Sequence, residues 1–394
     1  MESGPLTPPR VLTCYYRPKP GGLCTRLFRA IEALLDRGCE VHYLAVEEFP
    51  VRHPRCHFHR LPAPPGEGLV FWAWLHAAAP WALLWLGVRH RITHAFAFAT
   101  TYALFLQLLR VVRRLPTSLF LRADAIRNHQ IKGRPRWLLR LEAALEGLAL
   151  QGVRVHAVSR SLAAAVAARH LRAPAAVEVL PNDLPAGQPS GSAASAASGA
   201  EGAPAGRSEL AAPEGTRRPV PGASLHTAAV GVVEARKNLS VLVEAIARLP
   251  STAARLTLYG EGPEEARLQA LAARLDARDR VELAGWVDRE RIWPAVDLLL
   301  MPSLHEGAPN AVLEAVARGV AVLASEIPEH GEILPADDLL PADDPAAWAA
   351  RIERIAARPA EELAAMRTRQ AAAAEHLRFD WDEAVAAAVL EGGR

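Results

Sequence analysis

The sequence predicts an α/β protein of two domains, each built on a parallel sheet, facing one another across a cleft. Three observations carry the prediction. The chain has 394 residues, 51% of them apolar, enough for two domains of ordinary size with separate cores. In both halves short apolar runs alternate with segments of helical spacing, the pattern of strand–helix–strand units. Between the halves, residues 186–222 are dominated by Ala, Gly, Ser and Pro without apolar periodicity. Such a tract buries too little surface to offset its ordering entropy and reads as a flexible linker. The expected division is therefore a Rossmann-like domain over 1–185, the linker over 186–222 and a second Rossmann-like domain over 223–377. A C-terminal helix over 378–394 is expected to pack back on the first domain.

In the first half a strand is predicted over 10–15, followed by the turn Pro18, Lys19, Pro20, Gly21 and Gly22. Residues 25–37 have helical spacing (Leu27, Ile31, Leu34, Leu35), with Gly38 as the stop. Further strands are predicted over 40–46, 92–98, 118–122, 153–158 and 177–180. In the second half strands are predicted over 227–233, 255–259, 280–284, 297–301 and 321–325. The last two are nearly continuous apolar runs, which fit strands covered on both faces. Ligands of such folds bind in the crevice at the carboxyl ends of the strands.

The net charge of +2 gives no global pull toward nucleic acid, but it is unevenly split. Residues 1–150 carry about 20 Lys and Arg against about 10 Asp and Glu. A basic first half suits an anionic partner, such as a membrane surface or a phosphorylated acceptor; a solvated arginine-rich surface is the plainer alternative. Lysine occurs only at 19, 132 and 237, which makes Lys237 conspicuous. Cys14, Cys24, Cys39 and Cys56 form no close pair and suggest reduced thiols in the cytoplasm. The first residues have neither the basic nor the apolar region of a signal peptide. Residues 69–88 form an uncharged run that admits three readings: a buried core helix, a helix in the membrane interface, or a span.

The richest segment is 303–314. A strand ends at Ser303, and the loop His305, Glu306, Gly307, Ala308 leads to Pro309, a residue suited to a first helical turn. Asn310 continues the helix, with Gly319 just beyond its end. The amides of a first turn lack intrahelical partners and, with the helix dipole, favour an anion such as a diphosphate. Glu306 before the helix and Glu314 within it would repel phosphate. They are better placed to accept hydrogen bonds from sugar or ribose hydroxyls. A helix-terminal acid plus a solvated glutamate is the plain alternative.

These residues resemble the Glu-x7-Glu signature of glycosyltransferase family 4, the glycosyl transferases group 1 domain, whose members are retaining enzymes of GT-B fold. The likeness extends to Gly231, Lys237 and Asn238, to Gly260, Gly262 and Pro263, and to Gly285, Trp286 and Val287. Asn182 with Asp183, and Gly21 with Gly22, are similar to the family's two N-terminal-half loops. The resemblance is dense over 225–335 and thinner over 10–185.

The resemblance implies that Lys237 holds the diphosphate, Glu306 the sugar hydroxyls near the reacting carbon, and Glu314 the ribose. It implies that Gly307, Ala308, Pro309 and Asn310 line the phosphate and sugar, that Val287 lies against the base, and that Gly22 lets backbone approach the phosphate. Glu332 matches a further family glutamate. Val232 stands where the family usually has arginine, leaving Arg236 as the substitute cation. Where many members have a histidine near the sugar, residues 120–124 offer Arg122 or Asp124, and Asp124 joins Glu306 and Lys237 as a catalytic candidate. His94 is a looser match to a family histidine.

The activity implied is retaining transfer of a hexosyl group from a UDP- or GDP-sugar to a saccharide or lipid-linked acceptor, in bacterial glycan, glycolipid or polysaccharide synthesis. No cofactor or metal is expected. The expected location is cytoplasmic, peripheral at the inner face of the membrane. A silent nucleotide-sugar-binding subunit and a sugar-nucleotide epimerase of the same fold are the alternatives. Three further features read as structural. His53, Cys56, His57 and His59 suggest a surface loop without the second cluster a metal site needs. Asp380 and Asp382 precede a helix and suit capping. The basic stretch 127–136 suits a solvated connection or a phospholipid contact.

Overall fold

The computed structural model describes residues 8–19, 22–131, 133–170, 177–185 and 224–391. The expected linker over 186–222, Pro20 and Gly21 of the glycine turn, and Lys132 lie outside the described residues. The chain divides into two compact units, one of residues 1–182 with 380–394 and the other of residues 183–379.

In the first unit seven strands form one sheet: β1 (Arg10–Cys14), β2 (Glu40–Ala45), β3 (Cys56–Arg60), β4 (His94–Phe98), β5 (Thr117–Leu121), β6 (Arg154–Ala157) and β7 (Val177–Val179). Their order is β3-β2-β1-β4-β5-β6-β7, with all pairs parallel. The order reverses beside β1, so the crevice of this sheet opens at the carboxyl ends of β1 and β4. The helix Gly22–Asp36 follows β1 and buries Leu27, Ile31, Leu34 and Leu35. Gly38 closes it at φ +86°, a value that favours a residue without Cβ.

Two expectations are corrected here. Residues 56–60 are an edge strand rather than a surface loop. Phe58 alternates with His57 and His59, and its ring stacks on Tyr43 of β2 at 5.3 Å, so the period of two gives one face an apolar anchor. The run at 69–88 forms the helix Leu69–Arg89, but not a buried core helix. One face (Phe71, Leu75, Ala79, Leu83, Leu86) is buried. Gly87 lies against Leu109 of the helix Thr100–Arg113, where a Cβ would overlap the leucine side chain. The other face exposes Leu69, Val70, Trp81, Trp85 and Val88.

The helix Trp381–Leu390 belongs to this first unit. Asp380 caps it by accepting the Glu383 amide at 2.9 Å, and Asp382 pairs with Arg29 at 2.5 Å. Trp381 is fully buried beneath the guanidinium groups of Arg26 and Arg29, 4.9 and 5.2 Å from its ring.

The second unit holds β8 (Leu225–Val230), β9 (Ala254–Tyr259), β10 (Val281–Gly285), β11 (Leu298–Met301), β12 (Ala321–Ser325) and β13 (Leu339–Leu340). The order is β10-β9-β8-β11-β12-β13, again all parallel. Both faces are covered. Leu298 and Leu300 join a cluster with Leu258, Leu323 and Trp348, while Leu299 and Met301 join the opposite one with Val312, Val322 and Trp293. That explains why β11 is apolar at every position rather than at alternate ones. The order reverses at β8 and β11, whose carboxyl ends therefore frame this unit's crevice.

Candidate active site

Beyond β8 the chain turns at Gly231, with φ +139°, and passes through a 3-10 turn, Ala235–Lys237. Gly260, at φ +127° after β9, lies directly over this turn, and a Cβ there would overlap the Gly231 carbonyl oxygen. The close approach of the two loops requires glycine at that position. From β11 the chain runs through Met301 and Pro302 to Ser303. The Leu304 amide then donates to the Arg236 carbonyl at 2.8 Å, tying the β11 loop to the β8 loop. Val230, Gly231, Lys237, Met301, Pro302 and Ser303 line one recess at this switch point.

Glu306 is buried at the centre of this junction, 3% exposed. Its Oε1 accepts from Lys237 Nζ at 2.7 Å and from Ser303 Oγ at 2.7 Å. Its Oε2 accepts from Arg236 Nη1 at 2.9 Å. Burial alone would push the carboxyl pKa up, but the Lys237 and Arg236 charges and the two hydrogen bonds at Oε1 outweigh it and hold the value at about 2. Glu306 is thus ionised at any ordinary pH. Arg236 is itself shared, donating from Nε to Glu234 Oε1 at 2.6 Å. Val232 points outward, 54% exposed. Arg236, four residues on, is the second cation at this end of β8.

Gly307 and Ala308 are half-buried and Pro309 buried between Glu306 and the helix Asn310–Ala317. Glu314 lies on this helix, 8% exposed, with Arg289 Nη1 2.5 Å from its Oε1. Here burial dominates and the pKa rises, opposed by Arg289 and Arg318. Arg289 follows the β10 loop that carries Val287, which packs half-buried against the apolar cluster of β11. Arg289 therefore joins the wall bearing Val287 to the one bearing Glu314. Sequence reasoning missed it; its place two residues past Val287 was the available signal.

A second layer was also missed. Ser325, fully buried at the end of β12, donates to the Ser303 carbonyl at 2.5 Å, and the His330 ring sits 2.9 Å from the Ser325 carbonyl. His305, 3% exposed, has its Nδ1 3.4 Å from Glu329. These residues fix the backbone on either side of Glu306. Glu332 is half-buried just past the short helix Pro328–Gly331.

The remaining candidates lie in the first unit. Gly22 opens the helix after β1, at the carboxyl end of its sheet. Asp124, after β5, is 3% exposed, and both oxygens are engaged: one accepts the Arg127 amide at 3.0 Å, the other pairs with Arg169 at 2.5 Å. This geometry gives Asp124 a helix-capping and bracing role in place of the catalytic one expected. Arg122 donates to the Asn182 side chain. His94 begins β4, at the amino end of the sheet, with its ring 2.9 Å from Thr93 Oγ1. That end of the strand is opposite to the crevice end.

Two parallel-sheet units, with ionised groups gathered at a switch point, define a class, the GT-B fold. Solved structures agree over nearly the whole length. Sucrose-phosphate synthase from Thermosynechococcus elongatus superposes with a TM-score of 0.72 at 20% identity, over 96% of each chain. The Anabaena protein Alr3699/HepE in complex with UDP-glucose gives 0.69 at 16% identity, over 96% of this chain and 98% of that one. At such identities the likeness is one of fold. Residues 225–358, about a third of the chain, match the family described as glycosyl transferases group 1. A lipopolysaccharide core biosynthesis glycosyltransferase of Rhizobium meliloti, LpsE, is 42% identical over 91 residues, 23% of this chain and 26% of the relative. The chain matches less than half the length of the first curated relatives.

Proposed function

We propose that the chain is a retaining glycosyltransferase that moves a hexosyl group from a UDP-sugar to a hydroxyl of a bacterial glycan or glycolipid acceptor. One observation carries this reading: Glu306 is buried and ionised between Lys237, Arg236 and Ser303 at the carboxyl ends of β8 and β11. A carboxylate with a pKa of about 2 is a poor base near neutrality and, with both oxygens occupied, a poor nucleophile. It is suited to accepting hydrogen bonds from sugar hydroxyls while holding two cations in place. An ammonium has three donors, so Lys237 can keep Glu306 and still reach a diphosphate. As the bond from the anomeric carbon to the diphosphate breaks, negative charge grows on the leaving oxygen. Lys237, Arg236 and the start of the helix Asn310–Ala317 stabilise it. The acceptor oxygen bonds to the same face of that carbon, and its proton passes to the leaving diphosphate. These protein groups neutralise the phosphates without a metal.

The relative that acts in lipopolysaccharide core synthesis and the fold neighbour that binds UDP-glucose support the acceptor class and the donor base. The test is donor binding followed by transfer. UDP-sugars should raise the melting temperature more than GDP-sugars, since a ligand that binds only the folded state stabilises it by mass action. Lys237→Ala should still fold, show a smaller shift and lose most of its transfer. Full transfer by folded Lys237→Ala would sink the reading.

We also propose that this activity is exercised at the cytoplasmic face of the membrane, with the helix Leu69–Arg89 lying in the interface. Trp81 and Trp85 are exposed on its outer face, and Arg89 and Arg91 follow. Tryptophan suits headgroup depth and arginine suits anionic lipid. The opposite face is committed to the unit's own core, Leu83 being fully buried, which opposes a span. Vesicles containing anionic lipid should bind the chain, and Trp81→Ser with Trp85→Ser should release it. Binding unchanged by that pair would reject the interface.

A further inference from the structure

We propose that the first unit carries a transition-metal site of the zinc class, with His42, His59 and His90 as ligands and Glu40 as the carboxylate orienting His42. The parallel register of β2 and β3 sets His42 opposite His57 and Leu44 opposite His59. With a period of two, Glu40, His42, His57 and His59 share one face, while Val41, Tyr43 and Phe58 take the other. The end of the helix Leu69–Arg89 covers the histidine face and brings His90 onto it. The His90 ring lies 4.5 Å from that of His42 and 5.0 Å from that of His59, centroid to centroid. Ligand nitrogens of the three residues fall within 4.8 Å of one another.

The geometry is close to a coordination shell. His42 Nδ1 and His59 Nε2 are 2.9 Å apart. Tetrahedral zinc, with Zn–N bonds of about 2.0–2.1 Å, sets its ligands about 3.3 Å apart, so a small tilt of the half-buried His59 ring admits the ion. The other nitrogen of His42, Nε2, sits 3.2 Å from Glu40 Oε1, and Glu40 Oε2 is held by Arg10 Nε at 2.9 Å. A carboxylate beside one histidine nitrogen, placed to accept its N–H when the ring turns to meet a metal, leaves the second nitrogen as a lone pair, the arrangement that orients metal-bound histidines. His57 Nε2 lies 3.1 Å from the same Oε1. Nitrogen ligands of this kind suit Zn²⁺, Co²⁺, Ni²⁺ or Cu²⁺ rather than Mg²⁺ or Ca²⁺.

Glu40 opens β2 and His57 lies near the start of β3, so the site is at the amino end of the sheet. Gly22 follows the opposite end of β1, and the Glu306 cluster belongs to the other unit. The ion would tie the end of the apolar helix to the sheet edge. The test is titration of the untagged, metal-stripped full chain with Co²⁺, followed by Zn²⁺. Expected are one equivalent bound, visible absorption of four-coordinate strength, displacement by Zn²⁺ and a raised melting temperature. His59→Ala and His90→Ala, which remove half-buried rings, should each lower affinity at least about tenfold, and Glu40→Gln about 10- to 100-fold. His53→Ala, outside the cluster, should leave binding unchanged. No uptake by the folded chain, or full affinity in both His59→Ala and His90→Ala, would overturn the site.

Discussion

Glu306, at the junction of the second unit, and His42, on the histidine face of the first, are both buried titratable groups in parallel sheets, the one ionised and the other neutral. Glu306 is buried against two cations, and their attraction exceeds its desolvation cost, so it stays ionised. His42 is equally inaccessible, but its neighbours are mostly other imidazoles, so burial and repulsion both favour the neutral ring. The protonation state is decided by the balance between burial and the nearest charges, which for Glu306 falls to the charges and for His42 has both acting the same way.

Four substitutions test this contrast, from the largest expected effect down. Lys237→Ala removes the cation closest to Glu306 and should cut transfer by about 10²- to 10³-fold, the usual scale for one charge-stabilising donor, read as kcat with saturating UDP-sugar. Glu306→Gln leaves Lys237 and Arg236 short of a buried counter-charge and should destabilise the second unit by about 3 kcal/mol in urea unfolding. It should also change the acid response. The Glu306 carboxyl sits near 2 when folded against an ordinary 4.5, so its contribution is complete above about pH 4.5 and is lost as pH falls toward 2. The Gln variant should lack that loss, and an identical acid profile would remove the ion pairs from the account.

Gly260→Ala should cost about 2 kcal/mol, because it combines a positive φ with a Cβ aimed at the Gly231 carbonyl. A normal melting temperature would mean that the two loops do not need their close approach. Asp380→Ala, on the first unit, should cost about 1 kcal/mol by removing a helix cap, with donor binding unchanged. A change in donor affinity there would show that the cap does more than stabilise.

The donor-side site was legible because its parts are local. Ser303, Glu306, the residues through Asn310, and Glu314 lie within one strand–loop–helix passage, and Lys237 stood out as one of three lysines. What escaped were partners that only packing supplies. Arg289 reaches Glu314 from another loop, and Ser325 reaches the Ser303 carbonyl from another strand. Asp124 was misread for a related reason. A carboxylate after a strand looks the same in sequence whether it faces a ligand or, as here, an arginine 45 residues away.

The sequence by itself determined the alternation of strands and helices, the glycines where the chain must turn or pass close, and the spacing of Glu306 and Glu314. These are set by local sterics and by periodicity, which act over a few residues. Tertiary structure alone decided the rest. The parallel register of β2 with β3 turned a loop-like stretch into a strand and put three histidines and Glu40 on one face, to which the end of the helix Leu69–Arg89 adds His90. The approach of the β8 and β11 loops set Lys237 and Arg236 against Glu306 and fixed its charge. Electrostatic energies depend on distances between groups far apart in the chain, and those distances exist only once the sheets have formed.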